Sequence, residues 1–205
     1  KSIKTYEVVQ LLDDIANRGA PIQANRTRAM IRRLFNWAIG KGRLDYNPCI
    51  GIEKPNKETS RDRALSAKEI KIFWDGLANC NITKTVELVL KLQLVTCQRK
   101  GEIVAVERSE IDLDESLWTI PAHKTKNGEL HRVPLCQSAI DIIKEAFTLR
   151  DKSKWLFPSP ANIAKDEHIH ASSINHALKN NLKTLGLKDF RPHDLRRTGG
   201  TFLSK

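Results

Sequence analysis

Two short segments, far apart in the chain, concentrate side chains able to bind and transform a phosphate. The first is Thr96-Cys97-Gln98-Arg99-Lys100-Gly101-Glu102-Ile103, the second Arg191-Pro192-His193-Asp194-Leu195-Arg196-Arg197-Thr198. An arginine presents paired N–H donors in a rigid fork that matches phosphate oxygens, and a histidine exchanges a proton near neutral pH. Positions i and i+3 of a helix share a face, so a helix over the second segment points His193 and Arg196 the same way. A third segment, Lys124-Thr125-Lys126-Asn127-Gly128, puts two lysines at a turn, where a flexible ammonium can reach a DNA groove and donate a proton. Each segment also has an ordinary explanation. An arginine after an apolar helix caps it, a turn lysine is a solvated surface charge, and a histidine in a first helical turn makes local hydrogen bonds.

The elements that must hold these side chains are legible from periodicity. Apolar residues recur at helical spacing over residues 7–17, with Val8, Val9, Leu11, Leu12 and Ile15, and Gly19 marks the end. Residues 22–41 form a second amphipathic stretch, with Met30, Ile31, Leu34, Phe35, Trp37 and Ala38 as its buried stripe. Asn47-Pro48 ends that region. Residues 53–63 hold no apolar residue except Pro55, which reads as an interdomain linker with its boundary near residue 60. Ser66 with Glu69 three positions on is a capping-box start for a helix to about residue 78. Further helices are expected at 83–94, 100–107, 137–149, 171–185 and 193–204. Between them, Leu117-Trp118-Thr119-Ile120 and Leu130-His131-Arg132-Val133-Pro134-Leu135 read as two strands of a hairpin turning at Asn127-Gly128.

Composition narrows the partner. The 205 residues carry 35 Lys+Arg against 24 Asp+Glu, a net charge of +11, which points to a polyanion and most simply to nucleic acid. The excess is local: Arg26, Arg28, Arg32, Arg33, Lys41 and Arg43 lie between Pro21 and Leu44 with no acidic residue among them. No apolar run is long enough for a membrane helix, and no secretory h-region follows the N-terminus. Cys49, Cys80, Cys97 and Cys136 are too scattered for a disulfide framework or zinc site and read as reduced, mostly buried thiols. No acidic cluster of the two-metal nuclease kind is present, and His168 and His170 read as surface histidines, so no metal or other cofactor is expected.

In order, residue type and expected local structure, the three segments resemble the active site of the tyrosine recombinases, the lambda-integrase superfamily. Ile111-Asp112 and the closing Val133-Pro134-Leu135 are similar to the family pattern as well, and Thr27 through Pro48 resembles the core-binding helices of satellite-phage and island-borne integrases. The resemblance implies a mainly α fold with a small antiparallel β-sheet: a partial helical core-binding domain over 1–53, a linker over 54–63, and a partial catalytic domain over 64–205. It implies Arg99 and Arg196 as a phosphate clamp, His193 as an aid to proton transfer, Glu102 as a support for Arg99, and a lysine as general acid. Lys126 lies eight residues before Pro134, the family spacing, and Lys124 ten, so Lys126 is preferred and Lys124 is the alternative.

The implied reaction is cleavage and rejoining of double-stranded DNA at attachment sites through a 3′-phosphotyrosyl link, integrating or excising a mobile element. The nucleophilic tyrosine is not expected among these residues, since Tyr6 and Tyr46 both precede every motif. The chain is therefore expected to be C-terminally truncated, monomeric, and able to bind DNA without cutting it. The whole protein is expected to act as a tetramer on two duplexes in the bacterial cytoplasm, at the nucleoid. Cys97 stands where the family usually has a small glycine. Two other readings remain open: a non-catalytic DNA-binding remnant, and a type IB topoisomerase.

Overall fold

A computed structural model describes residues 2–58, 62–161 and 164–204. Among them the helices are α1 (Thr5–Asn17), α2 (Pro21–Gly40), α3 (Ala67–Gly76), α4 (Lys84–Thr96), α5 (Lys100–Val104), α6 (Gln137–Phe147), α7 (Ala171–Leu185) and α8 (Pro192–Leu203). Strands β1 (Ile111–Asp112), β2 (Leu117–Ile120) and β3 (His131–Pro134) form one antiparallel sheet in that order. The expected mainly α fold with one small sheet is what the chain adopts. No described helix is long and apolar enough to cross a membrane. The backbone divides into two compact units, residues 1–61 and 62–205.

Unit one is built on α1 and α2, whose small core is Val8, Leu12 and Cys49 with Ile31, Phe35 and Ile52 packed against it. Asn47 is fully buried and closes the following turn: its Nδ2 donates to Asn36 Oδ1 at 2.6 Å, and its Oδ1 accepts from the Cys49 N–H at 2.8 Å. The expected buried stripe of α2 is only half right. Ala38 is buried and Ile31 and Phe35 partly so, but Met30, Leu34 and Trp37 lie on the exposed side, Trp37 at 50%. The helix carries two apolar stripes, and hydrophobic spacing alone does not say which one meets a partner. Part of the polar stretch after it is held rather than loose, because Asn25 Nδ2 donates to Asn56 O at 2.7 Å and Glu58 Oε1 at 2.8 Å. Residues 59–61 of the expected linker lie outside the described residues.

Unit two is organised around α4, which is buried on nearly every side from Thr85 to Thr96 and packs against α5, α6, α7 and α8. Four helices, α1, α3, α5 and α8, begin with an acid at their third residue that accepts the N–H of the residue before the helix: Glu7, Glu69, Glu102 and Asp194. Such an acid satisfies an orphan donor and complements the helix dipole. In the sheet, Trp118 pairs with both Ile111 and Val133, which places the large buried side chains of this register on the core-facing side. The expected hairpin around Asn127-Gly128 is present, with Gly128 in the left-handed region at φ 72°. Ile120 pairs with His131, so the β2–β3 connection runs ten residues, 121–130, and opens with a 3₁₀ turn at Ala122–Lys124. Among the cysteines only Cys49 is buried; all four are free, and Cys136 is exposed.

In unit two, α8 packs tightly against the end of α4 at Gly199. A β-carbon on Gly199 would lie 2.1 Å from Cys97 Sγ and 2.9 Å from Leu94 O, so only glycine fits there. Gly199→Ala is expected to lower stability by about 1–3 kcal/mol through overpacking. Thermal melting checks this, and Cys97→Gly in the same chain should recover part of the loss. A second test concerns α3, where the Arg63 guanidinium, then the Ser66 backbone N–H, hold the Glu69 carboxyl down at about 2 against an ordinary 4.5. A depressed carboxyl stabilises fully above its unfolded value and ceases to as pH falls through its folded one. The melting midpoint should therefore fall between about pH 4.5 and 2, and less so in Glu69→Gln.

Candidate active site

The C-terminal end of α4 sets the first arginine. Cys97 ends the helix in the left-handed region, φ 56°, a conformation that costs a non-glycine residue about 1 kcal/mol. The chain then returns to extended backbone at Arg99, which precedes α5. Glu102, whose side chain is only 6% exposed, bonds Arg99 twice: Oε2 accepts the backbone N–H and Oε1 accepts an Nη1–H, both at 2.8 Å. The helix-starting acid and the arginine's counter-ion are thus one side chain.

The second arginine comes from α8. Pro192 opens that helix, with Asp194 Oδ2 accepting the Arg191 N–H at 2.9 Å. Thr198 Oγ1 accepts the Leu65 N–H at 2.9 Å while donating to Asp194 O at 2.7 Å, which locks α8 into the unit. Arg196 Nη1 lies 4.0 Å from Glu102 Oε2. That nitrogen is buried and has no hydrogen-bond partner among the described residues. Arg99, Glu102 and Arg196 line one side of a cavity of about 340 Å³; Thr125, Asn127, Glu129 and His131 of the β2–β3 connection and β3 line the other.

The two candidate lysines are in opposite situations. Lys124 Nζ donates to Ala105 O at 3.0 Å, to Glu107 Oε1 at 2.9 Å and to Glu110 Oε1. Burial alone would lower its pKa, but the bonds to Glu110 and Glu107 more than offset that and leave it raised. The same bond is the main cause that holds Glu107 down. Lys126 is exposed, and no described hydrogen bond or ion pair occupies it, while its neighbours Thr125 and Asn127 line the arginine cavity.

His193 is exposed one turn before Arg196 and lines a different, larger cavity of about 670 Å³ together with Lys100 and Lys179. Lys100 donates to Asn175 Oδ1 at 2.5 Å, and burial pushes its pKa down. Sequence reasoning passed over His131, which shares the cavity of the arginines; a lone histidine opening a short strand carries no signal of its own. In unit one, Arg26, Arg32, Arg33, Lys41 and Arg43 are exposed, Arg43 lying 5.3 Å from the Trp37 ring. Arg28 differs, since its guanidinium is spent on the Ile52 carbonyl, Nε at 2.8 Å.

Comparison with known proteins agrees with this fold. Residues 63–205 match the phage integrase family, and residues 1–54 match the phage integrase central domain. The chain is 30% identical to the shufflon-specific DNA recombinase of Escherichia coli over 199 residues, covering 95% of the chain and 47% of that protein. It is 26% identical to the prophage integrase IntA of Escherichia coli strain K12 over 181 residues, covering 86% of the chain and 43% of that protein. The chain belongs to the phage integrase family, the tyrosine recombinases of the lambda-integrase superfamily. It spans about half the length of the curated relatives it matches. In fold it is similar to lambda integrase (residues 75–356) solved as a dimer on a COC′ core site, with a TM-score of 0.80 and 19% identity over 100% of this chain and 75% of that one. It is also similar to the Tn1549 transposon integrase (residues 82–397), solved with circular intermediate DNA, with a TM-score of 0.76 and 13% identity over 100% of this chain and 73% of that one.

Glu102→Ala removes both the acceptor for the Arg99 N–H and the carboxylate nearest the two guanidiniums. The expected loss is about 1–2 kcal/mol, measured by chemical denaturation. Glu102→Gln, which keeps an acceptor without the charge, should lose less.

Proposed function

We propose that the protein is a site-specific DNA recombinase that cleaves and rejoins duplex DNA through a 3′-phosphotyrosyl intermediate. One observation carries the reading: a buried Arg196 nitrogen with no hydrogen-bond partner among the described residues, beside Arg99 on a shared cavity. A buried, unsatisfied donor costs stability, and an incoming acceptor repays it. Two guanidinium forks above a small cavity suit the non-bridging oxygens of one phosphodiester.

In this reaction a tyrosine oxygen attacks phosphorus, the bond to the 5′-oxygen breaks, and the freed 5′-hydroxyl later attacks a partner strand. Negative charge grows on the non-bridging oxygens, where Arg99, already oriented by Glu102, and Arg196 stabilise it. Lys126 protonates the leaving 5′-oxygen. Lys124 is unsuited to that role because all three of its N–H donors are engaged. His193 assists proton transfer from the tyrosine at the edge of the site. The exposed basic residues of α2 and its following turn hold the phosphate backbone, which positions the duplex without specifying its sequence.

The tyrosine lies outside these 205 residues, since Tyr6 and Tyr46 belong to unit one. By themselves these residues bind duplex DNA as a monomer and hold a phosphate without breaking the strand. The whole protein recombines attachment sites of a mobile element as a tetramer on two duplexes, in the cytoplasm.

Duplex affinity of the chain should fall about a hundredfold between about 50 and 200 mM salt, and Arg196→Ala should weaken it about tenfold further. Fluorescence anisotropy measures both, and salt-independent binding rejects the reading. In a longer protein that includes the tyrosine, a covalent DNA adduct should form and disappear on Arg196→Ala. No adduct in the parent protein would leave only a DNA-binding module.

A further inference from the structure

The β2–β3 connection carries two lysines whose side chains are committed differently. Lys124 is only 17% exposed, and its ammonium has three donors and three acceptors, each from the 105–110 segment. No donor is left for a ligand, and Glu107 and Glu110 would repel a phosphate brought to it. The acceptors are themselves fixed. Glu110 Oε2 accepts the Nε1–H of Trp118 at 3.0 Å, and Trp118 is a fully buried residue of β2. Glu107 bridges Trp155, whose ring centroid lies 5.3 Å from the Lys124 ammonium. One lysine thus ties the root of the connection to three separate segments of unit two.

Beyond that root the connection is waisted. Thr125 Oγ1 lies 2.9 Å from Ala122 O and 2.8 Å from Glu129 O, so its single proton serves one of these carbonyls at a time. Residues 126–128 form the exposed tip past this waist. Two residues of extended chain span at most about 7 Å, so fixing residue 124 confines Lys126 to a small region beside the cavity that Thr125 and Asn127 line.

We propose that Lys124 is a positioning residue. Its ion pairs with Glu107 and Glu110 hold the root of the 121–130 connection so that Lys126 is presented to the Arg99–Arg196 cavity. The proposal rests on reading that cavity as a phosphate site. It assigns the half-buried lysine a purpose that fold stability alone does not require, because the root could equally be fixed by apolar packing.

The test is a double-mutant cycle on duplex affinity, using the 205-residue chain, Lys126→Ala, Lys124→Met and the double variant. Lys126→Ala should weaken binding about fivefold in the parent chain and by less than about 1.5-fold in the Lys124→Met background. Lys124→Arg should restore the Lys126 effect. A folded Lys124→Met protein in which Lys126→Ala still costs its full factor overturns the proposal, whatever the change in melting temperature. If the uncompensated acids of Lys124→Met prevent folding, the charge-free combination Lys124→Met, Glu107→Gln and Glu110→Gln replaces it with the same expectation.

A second readout needs no DNA. The amides of Lys124 and Thr125, which donate to Pro121 O and Ala122 O, should exchange about tenfold faster when Lys124 becomes Met, and little faster when it becomes Arg; unchanged exchange there also overturns the proposal. Exchange that responds in a chain showing no salt-dependent duplex binding would sink the phosphate-site reading instead, leaving the anchoring of the connection intact.

Discussion

The site depends on a single close contact, the seat of α8 against the end of α4 where Gly199 meets Cys97 and the Leu94 carbonyl. No β-carbon fits in that gap, so the two helices approach at backbone distance. Arg99 follows Cys97 by two residues, and Arg196 precedes Gly199 by one helical turn. The same contact therefore brings both arginines onto Glu102 from opposite ends of the unit. The chain accepts left-handed backbone at Cys97 to make this turn. Such strain persists only where surrounding packing holds it, and here α4 is buried along nearly its whole length.

The basic residues spend their donors differently. Lys124 fills all three, and Arg28 is closed on the Ile52 carbonyl. These charges hold the fold. Arg196 keeps a buried nitrogen without a hydrogen-bond acceptor among the described residues, and Lys126 stands exposed between two residues that line the same cavity. A protein retains an unsatisfied buried donor at a cost, and that cost is sensible where a ligand supplies the missing acceptor. Formal charge at neutral pH is identical in the two groups; only their partners differ.

Much of the fold could be read from periodicity and capping alone. Ser66 and Glu69 form the capping box their spacing announces, and every helix expected from the apolar pattern is present within a few residues of its expected ends. The main failure has a physical cause. On α2 the pattern finds apolar residues but not the partner that covers them, so it groups Met30, Leu34 and Trp37 with Phe35 although they are exposed. The hairpin around Asn127-Gly128 is present, and its register is set by burial of Trp118 facing Ile111 and Val133.

By itself the sequence determined which residue types carry the chemistry and in what order, because an arginine fork, a histidine one turn away and an acid three residues after an arginine are local properties. Local chemistry does not separate Lys124 from Lys126, which only the spacing of a family resemblance ranks, nor Arg28 from its basic neighbours on α2, since each is a cation in a polar stretch. Tertiary structure gave them different partners. Glu107 and Glu110 lie 17 and 14 residues from Lys124, and Ile52 lies 24 from Arg28, distances over which only folding brings an acceptor to a donor. Spacing along the chain fixes what a side chain can do; which of its donors remain to do it is fixed by what folds against them.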